Sequence, residues 1–294
     1  MNTMQPGILA PVPRVARHLT FTLAAEAGPG PALERLAESV DPAGVVVGVG
    51  RSTALALGRH VAGLRDFPAG AGRGLEIPAT PGALWCWLRG DDPGELVRRT
   101  RSLEAMLGPA FRLDAVLDAF LHDVGRDLTG YEDGTENPTG SGAVAAASVQ
   151  GGGPGLEGSS FAAVQHWVHD FVAFDALGPE EQDLSIGRRR SDNEEIDDAP
   201  ESAHVKRTAQ ESFSPEAFVL RRSMPWAEGT RAGLVFLAFG RSFDAFEALL
   251  ARMTGLEDGI TDSLFRFTRP VTGAYYWCPP VSGGRLDLRA LGLR

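Results

Sequence analysis

One short segment of the chain, residues 130–138, concentrates side chains that can move protons. It has the sequence GYEDGTENP, in which Asp133 directly precedes a glycine. A carboxylate held in a fixed position is suited to accept a proton and return it. An Asp-Gly pair is also frequent in ordinary turns. From the residues alone, both a catalytic and a purely structural interpretation stay open for Asp133.

The six histidines are the candidate metal ligands. His166 and His169 lie in a predicted strand, where a spacing of three residues places them on opposite faces, so we do not expect them to share a metal. His204 follows an acidic loop, residues 192–201, that lacks the ligand spacing of a calcium site. A single histidine is more often structural than metal-bound, and the residues alone leave His204 undecided.

Other reactive side chains are few. Arg221 ends a predicted strand, where a guanidinium either enters a cleft or faces solvent. The two cysteines, Cys86 and Cys278, lie in apolar runs and are expected to be reduced and buried. Lys206 is the only lysine, so Schiff-base chemistry would depend on one residue.

Strands and helices must position these groups, and hydrophobic patterns predict both. The predicted strands are 14–25, 44–50, 83–88, 161–174, 217–221, 233–239 and 272–278, and the predicted helices are 31–40, 93–107, 179–186 and 242–253. Each half of the chain contains an apolar strand, a glycine (Gly90 or Gly240) and an amphipathic helix in that order. This similarity predicts two related α+β units, with the glycine-rich stretch 140–160 as the linker.

Composition excludes several classes of protein. The chain has 294 residues, of which 43% are hydrophobic and 22% charged, as in ordinary globular proteins. Its net charge of −10 disfavours nucleic-acid binding, which requires a basic face. The N-terminal segment lacks the pattern of a signal peptide, and the chain has no apolar run long enough to span a bilayer. We therefore expect a cytoplasmic protein with no membrane or nucleic-acid partner.

Several motifs, taken together and in order, resemble the dye-decolorizing peroxidase family, and specifically its B-type members. The matching segments are 5–9 (QPGIL), 130–138 (GYEDGTENP), 186–188 (IGR), 202–205 (SAHV), 220–225 (LRRSMP), 262–267 (DSLFRF) and 270–276 (PVTGAYY). The resemblance implies an α+β fold of two ferredoxin-like units, each an antiparallel sheet covered by helices. It places the N-terminal unit at residues 1–140, ending in the Gly-x-x-Asp-Gly loop, and the C-terminal, haem-binding unit at 141–294.

The resemblance also implies a role for each matching residue. His204 is similar to the axial ligand of the haem iron, and Asp262 to the acid that hydrogen-bonds that imidazole. Asp133 and Arg221 resemble the catalytic pair on the opposite side of the haem. Two further matches are Arg188, which resembles a residue near a haem propionate, and Ser223, which stands where many B-type members have Asn and could contact peroxide through its hydroxyl.

The function expected from these matches is that of a peroxidase with one haem b per chain. It would use H₂O₂ to oxidise dyes and small phenol-like donors, and a homo-oligomer is expected. One alternative is a non-catalytic haem storage or delivery protein on the same fold, which would need His204 but no acid–base pair. The other is a haem-free interaction module.

Overall fold

The structure, a computed structural model, describes residues 2–70 and 74–293. Residues 1, 71–73 and 294, which fall within the two predicted domains, lie outside the described residues. The strands are β1 (Val15–Leu23), β2 (Val45–Val49), β3 (Leu84–Gly90), β4 (Phe111–Phe120), β5 (Ser160–His169), β6 (Leu220–Arg221), β7 (Met224–Glu228), β8 (Arg231–Gly240), β9 (Thr268–Pro270), β10 (Ala274–Cys278), β11 (Val281–Ser282) and β12 (Arg285–Leu286).

Nine α-helices occur among the described residues, together with three 3₁₀ helices at Gln210–Ser212, Ser263–Arg266 and Arg289–Leu291. The α-helices are α1 (Pro6–Leu9), α2 (Gly30–Ser39), α3 (Arg51–Ala56), α4 (Pro93–Leu107), α5 (Gly140–Ala147), α6 (Phe171–Asp175), α7 (Pro179–Ile186), α8 (His204–Arg207) and α9 (Asp244–Met253).

Two ferredoxin-like units share one sheet. The first four strands lie in the order β4-β1-β3-β2 with antiparallel neighbours, and α2 and α4 follow β1 and β3. The second unit repeats this arrangement as β10-β5-β8-β6, with α9 after β8. A single bridge between Trp277 and Val49 joins the units into a continuous sheet, and β7 and β9 pair with β8 and β5. The expectation of two similar α+β units is confirmed.

The glycine-to-helix transition predicted in each half occurs at equivalent places, after the third strand of each unit. In the N-terminal unit, the Asp92 carboxylate accepts a hydrogen bond of 2.7 Å from the Glu95 backbone N–H and caps α4. The buried residues of α4 recur at helical spacing and face the sheet: Leu96, Thr100, Leu103 and Leu107. These local signals explain why the predicted bounds, 93–107, match the helix.

The face of the sheet away from helices α2, α4 and α9 encloses an aromatic core. β4 at one end of the sheet also contacts β7 near the other end, so the sheet curls around this core. His18 is buried there between the rings of Trp85 and Trp87, with centroid separations of 5.8 and 6.1 Å. Burial, together with the nearby His166, lowers the pKa of His18 to about 3.

The two cysteines are free and buried, as expected. Burial raises the pKa of Cys86 to about 12, which makes its thiol unreactive. Within the described ranges, none of the helices has the length and apolar character that crossing a membrane requires.

Three predicted elements are partly wrong, one of them the strand predicted at 217–221, of which only Leu220–Arg221 pair with the sheet. The strand predicted at 161–174 ends at His169, because the Asp170 side chain accepts a hydrogen bond from the Ala173 backbone N–H and starts helix α6. The predicted linker 140–160 begins with helix α5, whose alanines Ala143 and Ala147 pack in the aromatic core. The predictions also omitted β4, β7 and the short helix α3.

Candidate active site

A cavity lies between helix α9 and the sheet of the C-terminal unit, and residues from the loop 127–136 at the end of the N-terminal unit also line it. Among the described residues, none that lines it precedes Asp127. Its apolar walls come from α9, strand β8 and neighbouring segments: Ile186, Leu234, Phe236, Phe246, Leu249, Leu250, Met253, Leu264 and Phe267. Its polar lining includes four of the residues identified from the sequence: Asp133, Arg188, His204 and Arg221.

His204 is held by a fully buried carboxylate. Its Nδ1 lies 2.8 Å from Oδ2 of Asp262, whose side chain is 0% exposed. Because a carboxylate accepts hydrogen bonds, Nδ1–H is the donor, and the lone pair of the imidazole lies on Nε2. The other oxygen of Asp262 accepts the Leu264 backbone N–H at 2.8 Å, which fixes the carboxylate at the start of a 3₁₀ helix.

Two loops are fastened together to bring His204 and Asp262 into contact. The backbone N–H of Ser263 donates to the Ser202 carbonyl at 2.8 Å, and the two serine hydroxyls lie 3.0 Å apart. Each of these serines adjoins or nearly adjoins one member of the His204–Asp262 pair. Gly187 permits the close approach of α7 to this region, since it has a φ of +90° and a Cβ there would lie 2.3 Å from the Val205 side chain.

Asp133 and Arg221 form a loose ion pair in the same cavity. Arg221 Nη1 lies 3.5 Å from Asp133 Oδ1, and their side chains are 17% and 24% exposed. Nε of Arg221 is buried and has no hydrogen-bond partner among the described residues. The cavity thus contains a carboxylate beside a guanidinium that retains an unused donor. This pairing can transfer a proton and stabilise negative charge.

Asn137 positions Arg221, a role that the sequence alone did not reveal. Its amide oxygen accepts the Arg221 backbone N–H at 2.7 Å, and its amide nitrogen donates to the Arg221 carbonyl at 3.1 Å. Gly134, with a φ of +79°, leaves room for this amide, because a Cβ would lie 2.7 Å from it. The segment 130–138 therefore supplies the Asp133 carboxylate and also fixes the backbone of Arg221.

A second histidine–carboxylate pair anchors the beginning of this loop. His169 Nε2 lies 3.0 Å from Asp127 Oδ1, and His169 Nδ1 lies 2.8 Å from the Thr268 hydroxyl. Burial acts to raise the pKa of Asp127, but the hydrogen bonds from His169 and Thr129 outweigh it and hold the pKa below its usual value. His169 faces the cavity and His166 lies near His18, so the two histidines are on opposite faces of the strand, as predicted.

Arg188 and Ser223 have surroundings that the resemblance did not predict. Arg188 lines the cavity but is bound to two carboxylates of its rim, Glu136 at 2.7 Å and Glu195 at 3.2 Å. Ser223 is not among the described residues that line the cavity, and its hydroxyl accepts the Leu237 backbone N–H at 3.4 Å. The structure therefore brings together Asp133, Arg188, Arg221 and His204 with its partner Asp262, but leaves Ser223 outside.

Comparison with known protein families identifies the family in which this site occurs. The model of the Dyp-type peroxidase C-terminal domain matches residues 124–283, more than half of the chain. The matched region includes every residue of the site described above.

The chain belongs to the dye-decolorizing peroxidase family. It is a haem peroxidase. The alternative of a non-catalytic haem carrier is not favoured, because the curated relatives are themselves named as peroxidases.

Two of these relatives are mycobacterial. The dye-decolorizing peroxidase of Mycolicibacterium paratuberculosis is 33% identical over 69% of this chain, which spans 59% of that protein's length. The dye-decolorizing peroxidase of Mycobacterium tuberculosis is 29% identical over 93% of this chain and 88% of its own length.

Solved structures share the whole fold of this peroxidase. A putative Dyp-type peroxidase of Shewanella oneidensis has a TM-score of 0.87 and 28% identity, with 99% of this chain and 98% of that chain covered. A variant of DypB from Rhodococcus jostii, solved in complex with haem, has a TM-score of 0.81 and 25% identity over 93% of this chain and 96% of its own.

The residues of the cavity fit a haem. The carboxylate on Nδ1 leaves Nε2 of His204 as a ligand for iron, and the apolar walls suit the porphyrin faces. Nε of Arg221 has no acceptor among the described residues, and a bound group could provide one. An imidazole held by a buried carboxylate, apolar walls and a cationic donor are features that suit a haem peroxidase.

Proposed function

We propose that this peroxidase holds one haem b per chain and that Nε2 of His204 would bind its iron. Asp262 fixes the tautomer and orientation of the imidazole and increases its donor strength. Arg188 is proposed to lie near a haem propionate. Glu136 and Glu195, which bind Arg188 here, would then share this guanidinium with the propionate.

The haem, when bound, supplies the iron and porphyrin that store the two oxidising equivalents of H₂O₂. Asp133 takes a proton from the peroxide and returns it to the departing oxygen. Arg221 stays charged and stabilises the negative charge that develops as the O–O bond breaks. The ion pair holds the Arg221 guanidinium beside the Asp133 carboxylate, so both groups are at the place where the proton is transferred.

The observation that carries this proposal is the presence of both polar pairs in one cavity. Haem storage would need His204 and Asp262, but it gives no reason to keep Asp133 and Arg221 together beside them. Ser223 is also proposed as a catalytic residue. Its hydroxyl would contact peroxide after rotating toward the cavity.

The proposed donors are dyes and small phenol-like molecules, each giving one electron. We further propose that the protein is a cytoplasmic homo-oligomer of the B-type, with neither nucleic acid nor membrane as a partner. The net charge of −10 supports the exclusion of nucleic acid. Division into domains at residues 1–140 and 141–294 is proposed from the strand order, in which each unit has its own four strands.

Oxidation of a phenol by the haem-loaded protein tests the function. Turnover should require both haem and H₂O₂, and Asp133→Asn should lower it about a hundredfold while haem content stays unchanged. Asp118→Asn, which alters an exposed carboxylate paired with Arg17, is the matched control and should turn over like the wild type. Wild-type protein that binds haem yet gives no peroxide-dependent oxidation would indicate a carrier.

A further inference from the structure

Gln165 is a buried polar residue that lines the cavity and whose amide nitrogen makes no hydrogen bond to another described residue. It is 1% exposed. A buried amide without a partner is costly, and native proteins rarely keep one without a reason.

The sheet register places Gln165 on the same face as Arg221. Gln165 lies opposite Phe236 of β8, and Arg221 lies opposite Ala238 of the same strand. Residues 236 and 238 point to the same side of β8, and directly paired residues share a face. Gln165 and Arg221 therefore lie on the same face of the sheet, and both residues line the cavity.

A buried glutamine elsewhere in the chain shows what a structural role looks like. Gln182 donates its amide to the carbonyls of Phe174 and Leu177, at 3.0 and 3.1 Å, and so joins α6 to α7. Gln165 makes no comparable contact with the described residues. Its acceptor is therefore expected to arrive with a molecule that enters the cavity.

We propose that Gln165 is an additional ligand-binding residue of the active site: its amide donates a hydrogen bond to peroxide, or to an anion bound in its place, on the side of Arg221. This inference rests on the proposed function. It assigns an amide donor to the cavity from β5, whereas Ser223 places its hydroxyl against the β8 backbone.

Fluoride binding to the ferric haem-loaded protein tests the proposal, because fluoride is a small anion that accepts hydrogen bonds. Gln165→Met keeps the length of the side chain and removes the donor. It should raise the Kd of fluoride about ten- to a hundredfold, the effect expected for losing one hydrogen bond to an anion. Gln165→Glu should raise the Kd at least as much, because a carboxylate at this position repels the anion.

Gln182→Met is the matched control, since it makes the same substitution at a buried glutamine outside the described lining of the cavity. It should leave the Kd of fluoride unchanged. An unchanged Kd in Gln165→Met would overturn the proposal. So would faster loss of haem from Gln165→Met with normal fluoride affinity, which would show that the amide faces a haem carboxylate. Failure of the wild type to bind haem would instead contradict the proposed function.

Discussion

The two ferredoxin-like units have the same strand order but use the space between sheet and helix differently. In the N-terminal unit, Leu96, Leu103 and Leu107 of α4 fill this space with apolar side chains. In the C-terminal unit, the corresponding helix α9 lines a cavity. The connection between the first two strands also differs: residues 24–44 contain one helix, whereas the much longer segment 170–219 contains several and provides Arg188 and His204.

This difference shows where the function of the fold resides. In each unit, the four strands and the helices that follow the first and third strands make a frame. This frame can pack around an apolar core or around a cofactor. The long connection of the C-terminal unit and the loop 130–138 convert the frame into a site. Changes in the C-terminal cavity should therefore affect chemistry, and changes in the N-terminal core should affect stability.

The largest effect is expected at His204. His204→Ala removes the proposed iron ligand, so the folded protein should retain little haem and lose its peroxidase activity. Absorption spectra after loading with haem, with circular dichroism to verify folding, would measure this. A normal haem spectrum in this variant would contradict the assignment.

A smaller effect is expected for the guanidinium opposite the proposed ligand. Arg221→Ala should slow the reaction with peroxide about a hundred- to a thousandfold, because it removes the charge that stabilises the departing oxygen. Stopped-flow absorption would give the rate. Arg17→Ala in the N-terminal unit, which removes an arginine paired with exposed Asp118, should react at the wild-type rate. Equal rates for both variants would remove the functional contrast between the units.

In the N-terminal core, by contrast, substitutions are expected to change stability but not the reaction with peroxide. Leu107 is fully buried, so Leu107→Ala should lower the free energy of unfolding by about 2–5 kcal/mol. Val97→Ala, on the exposed side of α4, should change it by less than about 0.5 kcal/mol. Urea unfolding measures both. A large loss of peroxide reactivity in folded Leu107→Ala protein would show that the two units are coupled.

The smallest effect is expected for stability at acidic pH, to which His18 and His166 contribute. The pKa values of His18 and His166 are lowered from 6.5 to about 3 and about 4, mainly by burial. The unfolded chain therefore binds protons first as the pH falls. Stability is complete above about pH 6.5 and decreases below it, by up to about 1.4 kcal/mol per pH unit for each histidine.

His18→Gln should remove one of these contributions and make the loss of stability between pH 6.5 and pH 5 less steep. The exposed His60 offers the control, His60→Gln, which should follow the wild type. Urea unfolding at pH 7 and pH 5 gives the comparison. An equally steep loss in His18→Gln would show that other groups control acid stability.

The sequence predicted elements well where local signals were complete. Helix α4 has a capping Asp92, a proline in its first turn and regular apolar spacing, so its bounds were found. The segment 171–175 has strand-forming residues, but the Asp170 cap turns it into a helix. Strand β4 was missed because it lies at the end of the sheet, where half of its side chains are exposed and little hydrophobic pattern remains.

Sequence motifs predicted individual residues of the site but not the tertiary contacts that position them. The resemblance suggested His204, Asp262, Asp133 and Arg221, and the structure brings these residues together in two pairs. The contact between Asn137 and Arg221 joins residues 84 positions apart, so no local pattern reveals it. The binding of Arg188 to rim glutamates and the orientation of the Ser223 hydroxyl likewise depend on tertiary packing.

The most direct test of the proposed peroxidase function is the absorption spectrum of the haem-loaded wild-type protein before and after one equivalent of H₂O₂. We expect an imidazole-ligated haem spectrum that changes rapidly with peroxide. The original spectrum should return when a phenol is added. A protein that binds no haem, or whose haem spectrum does not respond to peroxide, would contradict the proposed function.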